Sequence, residues 1–361
     1  MPDFTSALYL SMRHAYQDLQ PWRQLTTGVP LAFGETPLQR RVEAGLAQLL
    51  RSEKALLAPS TLHLFWDLFE VLAPEDTVIL VDEGTYPISR WGIDRASYRG
   101  VRVEAFPHHD ADALVMAGKR YRDHPILVVA DGFCTGCGSR APLADYLTVV
   151  SDLKGLLVVD DSQGLGVLGH TPSADSPLGR GGGGVVTDLP ARTPQLLTVS
   201  SLGKGFGVPL AVLAGNQDWL GRFENESETR VHCSPPSIAH LQAAAHALVL
   251  NRQRGEGMRK RLLLLIRTFR HELALLGLRS IGGLFPVQTL ACPTTEQARR
   301  IHRCLRRLGI HTLLRRLRCS GQAGISFVLN AGHTLRELEL AIGGLNQALG
   351  MSHIYSPGET R

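Results

Sequence analysis

The stretch TVSSLGKGFGVPLAVLAG (Thr198–Gly215) reads as two short apolar strands around a turn built from small residues. Lys204 is the one cation in it, set between Gly203 and Gly205. A surface lysine needs no glycine on either side. Glycine lets backbone approach another segment or a ligand closely, so this turn suits an amine that meets a bound molecule. Working outward, similar runs recur: DTVILVDEG (76–84), VRVEAFPH (101–108), HPILVVADG (124–132), GLLVVDDSQG (155–164), QLLTVSSLG (195–203) and LAVLAG (210–215). Most are apolar on both faces and bounded by Gly, Pro or Asp, as strands buried between helices are. Helical stretches alternate with them. The expectation is an α/β fold with a mainly parallel, doubly wound sheet, whose ligands sit beyond the carboxyl ends of the strands.

The flanks set the domain plan. Residues 1–30 read as an arm with little periodicity. TPLQRRVEAGLAQLLRSEKALLAPS (36–60) reads as one amphipathic helix ending near Pro59. LGRGGGG (178–184) reads as a flexible loop. A long helical stretch starts after Pro235, and the remainder alternates short strands and helices. The plan is an arm (1–30), a large domain (31–245), and a linking helix with a smaller C-terminal α+β domain (246–361).

Composition limits the function. The 361 residues are 44% hydrophobic and 20% charged, with a formal net charge of +5. The basic bias suits an anionic ligand, but no nucleic-acid docking motif accompanies it. No apolar run is long enough to span a membrane, and the N-terminus lacks signal-peptide order. Six cysteines in a chain this long make no disulfide framework, which points to the reducing cytoplasm. Cys134 and Cys137 form CTGC with no second CxxC, so they read as a turn, and no metal site is expected.

Two readings compete for VVDDSQGLGVLG (158–169). Gly164, Gly166 and Gly169 match a dinucleotide fingerprint, but HTPSADSPLGRGGGG follows and makes no helix. The alternative pairs Asp160, at a strand end, with Lys204 in its turn. A lysine amine with a lowered pKa forms a Schiff base with an aldehyde, and a carboxylate keeps a pyridine nitrogen protonated. Pyridoxal phosphate asks for both groups.

Most of the chain resembles the α-oxoamine synthase group of fold-type I pyridoxal-phosphate transferases, such as 8-amino-7-oxononanoate synthase and 2-amino-3-ketobutyrate ligase. SLGKGFG is similar to T-[FL]-[GS]-K-[AG]-[FG]-G, which implies that Lys204 is the Schiff-base lysine and that Ser201 lies near the phosphate. VVDDSQGLGVLG is similar to V-D-[DE]-A-H-G-x-G-x-x-G, which implies Asp160 at the ring nitrogen. DGFCTGCGSRAPL (131–143) places Thr135 near the ring hydroxyl. ALLAPSTLHLF (55–65) places the amides of Ser60, Thr61 and Leu62 at the phosphate. DEGTYPIS (82–89) puts Tyr86 where the family stacks a histidine on the ring. VHCSPP (231–236) resembles the segment that reaches the partner subunit's phosphate, which implies a homodimer with His232 and Ser234 at that contact. The implied architecture is a three-layer large domain with a mainly parallel sheet plus the smaller C-terminal domain.

The departures bear on the reaction. Gln163 replaces the family histidine, and Gln donates a hydrogen bond but cannot take up or release a proton at neutral pH. Gly324 stands where an A-R-[IL]-R strand has its carboxylate-binding arginine, with Ser326 at the second position. Ala7 in SALYLSM replaces an asparagine. Arg315, Arg316 and Arg318 lie just upstream of Gly324; they read as a solvated basic face or as a relocated clamp. With arginine and histidine gone, amino transfer on a non-standard amino substrate is the favoured reading, with catalysis assigned to Lys204, Asp160 and Tyr86. The alternative is a diverged synthase that condenses an amino acid with an acyl thioester of coenzyme A or acyl carrier protein. A protein that keeps the cofactor without turnover is the third reading.

Overall fold

The computed structural model describes residues 1–74 and 76–350. Residues 351–361, the end of the expected C-terminal domain, lie outside the described residues. The chain forms two compact units. The larger comprises Met12–Cys134 and Arg140–Glu256; the smaller comprises Met1–Ser11, Thr135–Ser139 and the chain from Gly257 onward.

The helices are α1 (Pro37–Leu49), α2 (Thr61–Leu72), α3 (Pro87–Tyr98), α4 (Ala111–Arg120), α5 (Leu143–Asp152), α6 (Gln217–Glu226), α7 (Glu228–His232), α8 (Ile238–Leu275), α9 (Thr295–Arg307) and α10 (Leu335–Leu349). The strands are β1 (Lys54–Ala58), β2 (Val78–Asp82), β3 (Arg102–Phe106), β4 (Ile126–Asp131), β5 (Phe133–Cys134), β6 (Ser139–Arg140), β7 (Leu156–Asp160), β8 (Leu196–Ser201), β9 (Ala211–Gly215), β10 (Val287–Cys292), β11 (Leu313–Arg316) and β12 (Ala323–Val328).

The larger unit is built on a seven-stranded sheet ordered β1-β9-β8-β7-β4-β2-β3. From β8 to β3 every neighbour is parallel, while β9 runs antiparallel to both β8 and β1. β2, β7 and β9 are buried along their whole length, as their continuous apolar sequences require. Leu56, Val81, Val129, Val158, Val199 and Leu213 share one core with Phe65 and Phe69 of α2. The sheet is mainly parallel with helices on its faces, as expected from the sequence. It leaves three carboxylates, Asp82, Asp131 and Asp160, at the ends of β2, β4 and β7, with Asp131 in register with Asp160.

Two expectations are corrected. The helix expected over 36–60 stops at Leu49, and Lys54–Ala58 pairs with β9 as the strand β1. Arg51 in the left-handed region (φ 56°) breaks the helix. LGRGGGG is a packed segment rather than a flexible loop: Leu165 bridges to Gly183, and His170 to Arg180. Gly184 has φ 91°, and a Cβ on it would overlap the Asp161 carboxylate. The tract serves close approach there, not mobility. CTGC lies on a two-stranded hairpin, β5–β6.

In the smaller unit, β10-β12-β11 form an antiparallel sheet next to α9 and α10. α10 starts in a capping box made by Thr334 and Glu337. The first residues of the chain complete this unit. The Phe4 amide donates to the His311 carbonyl (2.9 Å), and the Val328 amide donates to the Phe4 carbonyl (2.9 Å). Phe4 is fully buried and stacked on His333, with ring centroids 4.5 Å apart. α8, 38 residues long, opens in the larger unit and passes Gly257 into the smaller.

Candidate active site

The Lys204 turn follows the carboxyl end of β8. A Cβ on Gly205 would overlap the Leu165 carbonyl oxygen, so only glycine lets the turn lie against the loop after β7. The Phe206 carbonyl holds His14 Nε2 at 2.7 Å. The Lys204 ammonium stands 5.9 Å from the centroid of the Tyr86 ring, so two residues 118 positions apart meet.

Tyr86 immediately precedes α3 and is 43% exposed. Its amide donates to Asp131 Oδ1 (3.0 Å). Arg90, one turn into α3, ties the loop down: Nη2 donates to the Asp82 and Glu83 carbonyls (2.9 and 2.8 Å) and Nε to that of Thr85 (3.2 Å). The exposed ring is thus held on a rigid loop. Arg90 and Asp131 were missed in the sequence. The signals were an arginine one helical turn beyond Tyr86 and a carboxylate closing an apolar strand.

Asp160 ends β7, is 8% exposed and accepts the Ser162 amide at 2.9 Å. The Ser201 amide donates to Ser162 Oγ (2.9 Å), and the Gly203 amide donates to Ser201 Oγ (3.2 Å), which link the β7 and β8 ends. Gln163 lies half-buried in the turn after β7. Ser60 precedes α2, whose first amides belong to Thr61 and Leu62; Ser60 Oγ and His63 Nδ1 are 2.8 Å apart. The first amides of a twelve-residue helix have no intrahelical partner and favour an anion. His232 ends α7. Ser234 lines a cleft of about 430 Å3 with Pro59, His63, Leu210, Cys233 and His240.

The smaller unit settles the altered strand. Gly324 is in register with Arg315 of β11 and with Ala291 of β10. A Cβ on Gly324 would stand 2.8 Å from Thr289 Cγ2 and 2.9 Å from the Leu290 carbonyl, so this position has no room for an arginine. Ser326 is buried, 2.7 Å from Thr289 Oγ1. Arg315, directly across the ladder from Gly324, projects on the face an arginine there would take. Its guanidinium grips Thr135, with Nη1 donating to Oγ1 (3.1 Å) and Nη2 to the carbonyl (2.7 Å). Arg316 and Arg318 are exposed.

The family model of aminotransferase class I and II matches residues 11–344. The chain belongs to this family. It is 28% identical to 8-amino-7-oxononanoate synthase of Alkalilimnicola ehrlichii over 326 residues, 89% of this chain and 79% of that one. It is 27% identical to 8-amino-7-oxononanoate synthase of Aliivibrio fischeri (strain ES114) over 359 residues, 96% of this chain and 88% of the relative. Among solved structures, serine palmitoyltransferase of Sphingomonas wittichii superposes with a TM-score of 0.80 at 18% identity, covering 96% of this chain and 86% of that one. 8-Amino-7-oxononanoate synthase of Francisella tularensis superposes with 0.75 at 18% identity, covering 98% and 99%. The chain thus resembles α-oxoamine synthases, and these structures share its fold.

Within this family member, Asp161 sits below the site, fully buried. Burial pushes its carboxyl up to about 7, against weaker help from the Val186 and Val185 amides, and the Asp160 charge adds to the rise. The folded state therefore holds a proton that the unfolded chain has released. Its contribution to stability is full below the unfolded pKa near 3.8 and is lost as pH rises toward about 7. Urea unfolding between these limits should show a falling component of up to about 1.4 kcal/mol per pH unit. Asp161→Asn should remove it. An unchanged pH profile in the variant would show that Asp161 is ionised throughout.

Proposed function

We propose that this protein is a pyridoxal-phosphate-dependent transferase that condenses an amino acid with an acyl thioester. The observation that carries the cofactor is the Lys204 amine 5.9 Å from the centroid of the Tyr86 ring. Around it the donor set fits the molecule. The amides at the start of α2, with Ser60, Thr61 and Leu62, suit the phosphate, and Ser201 joins them. The Tyr86 face suits the pyridine ring. The buried Asp160 carboxylate suits a protonated ring nitrogen. Gln163 is a hydrogen-bond donor for the ring oxygen. When bound, pyridoxal phosphate supplies an electron sink for charge at the amino-acid Cα.

The chain's own residues do the rest. Lys204 Nζ holds the cofactor and then moves the Cα proton. Within the smaller unit, Arg315, opposite the crowded Gly324, is a bidentate donor on the face where the family's arginine would stand. Gln163 holds an oxygen without exchanging a proton. His232 and Ser234 are assigned to the partner subunit's phosphate in a homodimer. We place the protein in the cytoplasm; among the described residues no helix is long and apolar enough to cross a membrane.

The loss of arginine at Gly324 and histidine at Gln163 favours amino transfer. The likeness to 8-amino-7-oxononanoate synthases favours condensation over a family-wide likeness to aminotransferases, so condensation is preferred. The test supplies purified protein and pyridoxal phosphate with a panel of amino acids and acyl thioesters. Free thiol should appear only when both substrates are present. Conversion of an amino acid to its keto acid with no acyl donor would reassign the reaction to amino transfer.

A further inference from the structure

His14, near the start of the larger unit, touches the Lys204 turn at Phe206, 192 positions further along the chain. Its Nε2 lies 2.7 Å from the Phe206 carbonyl oxygen, and its Nδ1 lies 3.1 Å from Nδ1 of His246 on α8. His14, Lys204, Phe206 and His246 all belong to the larger unit.

A carbonyl oxygen only accepts, so His14 Nε2 carries the hydrogen. A neutral imidazole with its hydrogen on Nε2 keeps a lone pair on Nδ1. His246 then donates from its own Nδ1, which fixes its tautomer as well. Burial holds the His14 pKa below the usual histidine value, and the neighbouring His246 adds to that; the Phe206 carbonyl and the Asp18 carboxylate oppose them. Burial therefore favours the neutral form that this chain of hydrogen bonds needs.

What the chain of bonds holds is the tip of the turn. The stem is closed by backbone, with the Leu202 amide donating to the Leu210 carbonyl (2.9 Å) and the Val208 amide to the Leu202 carbonyl (3.2 Å). At the tip, Gly205 lies against Leu165 and Gly207 takes φ 65°. The peptide joining Phe206 to Gly207 thus has a glycine's freedom to flip. The Phe206 ring is fully buried, and its carbonyl is gripped by His14, which blocks that flip two residues from Lys204. α8, a continuous helix of 38 residues, backs the pair.

We propose that His14 is a positioning residue for Lys204, held in its donor tautomer by His246. The inference rests on the role of Lys204 proposed above. Both histidines act through the Phe206 carbonyl, and a small displacement of a reacting group costs rate far beyond the worth of the bond that prevented it.

The test compares His14→Leu, His14→Gln and His246→Leu with wild type. In the cofactor-free chain carrying nitrogen-15 histidine, proton–nitrogen correlation spectra should place the hydrogen on Nε2 of His14 and on Nδ1 of His246. With pyridoxal phosphate bound, His14→Leu should displace the pH midpoint of the visible band. It should also speed cofactor release on dilution roughly 10-fold, near the upper worth of one hydrogen bond. The glutamine amide nitrogen can stand where Nε2 does, so His14→Gln should restore both. His246→Leu leaves the donor to Phe206 in place and should give a smaller change in the same direction. Melting temperatures separate these effects from loss of fold, and His246→Leu decides the matter if His14→Leu does not fold. A wild type with no visible band would overturn the proposed function and this inference together. A wild-type band whose midpoint and release are unchanged in His14→Leu, no recovery in His14→Gln, or His14 with its hydrogen on Nδ1 would overturn the inference alone.

Discussion

Lys204→Ala is expected to abolish the visible absorbance band that forms when pyridoxal phosphate is added, and to lower turnover by roughly 100- to 10,000-fold or more. The range is what loss of one positioned general base costs, before loss of the covalent tether is added. The variant should still fold. Its turn is shaped by the contact of Gly205 with Leu165 and by the hydrogen bond from the Leu202 amide to the Leu210 carbonyl (2.9 Å), neither of which needs the lysine side chain. Melting temperature and gel-filtration volume should therefore match wild type while the spectrum does not. A variant that keeps both band and turnover would remove Lys204 from the site and withdraw the proposed function.

Asp160→Asn tests the other pole of the site with a change of charge at nearly constant shape. The variant keeps an acceptor for the Ser162 amide, now 2.9 Å away, so the β7 end should hold its geometry. It loses the anion that keeps a ring nitrogen protonated. A hydrogen bond to a charged group is worth about 1.5–3 kcal/mol, so kcat should fall roughly 10- to 150-fold with cofactor still bound. Removing this charge also relieves Asp161, whose raised pKa owes part of its rise to Asp160. The cofactor-free variant should accordingly be no less stable than wild type toward neutral pH. Full activity in Asp160→Asn would show that the ring nitrogen works unprotonated or finds another partner.

Much of this was legible because the central strands announce themselves. Val-, Leu- and Ile-rich runs closed by Asp or Gly mark β2, β4, β7 and β8, and their carboxyl ends carry Asp82, Asp131, Asp160 and the Lys204 turn. The segment KALLA was not legible as β1. Lys, Ala and Leu are among the best helix formers, and only pairing with β9 makes them a strand. The glycine tract 178–184 has the composition of a mobile linker. What makes it rigid is Asp161 and Leu165, which come earlier in the chain and carry no local mark of the contact. The relation of Arg315 to Gly324 is one of ladder register, which residue types do not encode. The same holds for the nearness of His14 and His246, 232 positions apart.

The docking of Phe4 has a consequence for how the protein is made. Its partners, His311, Val328 and His333, leave the ribosome about 300 residues after it does. At 5–20 residues per second the segment waits roughly 15 to 60 s with a fully apolar side chain in solution. During that interval the larger unit, finished by Glu256, has its whole sheet available and is free to fold. The smaller unit has to be assembled last, from both ends of the described chain at once. A nascent chain stalled before β11 would hold a formed sheet and a Phe4 with nowhere to go, which makes it a natural client for a chaperone that captures exposed apolar segments.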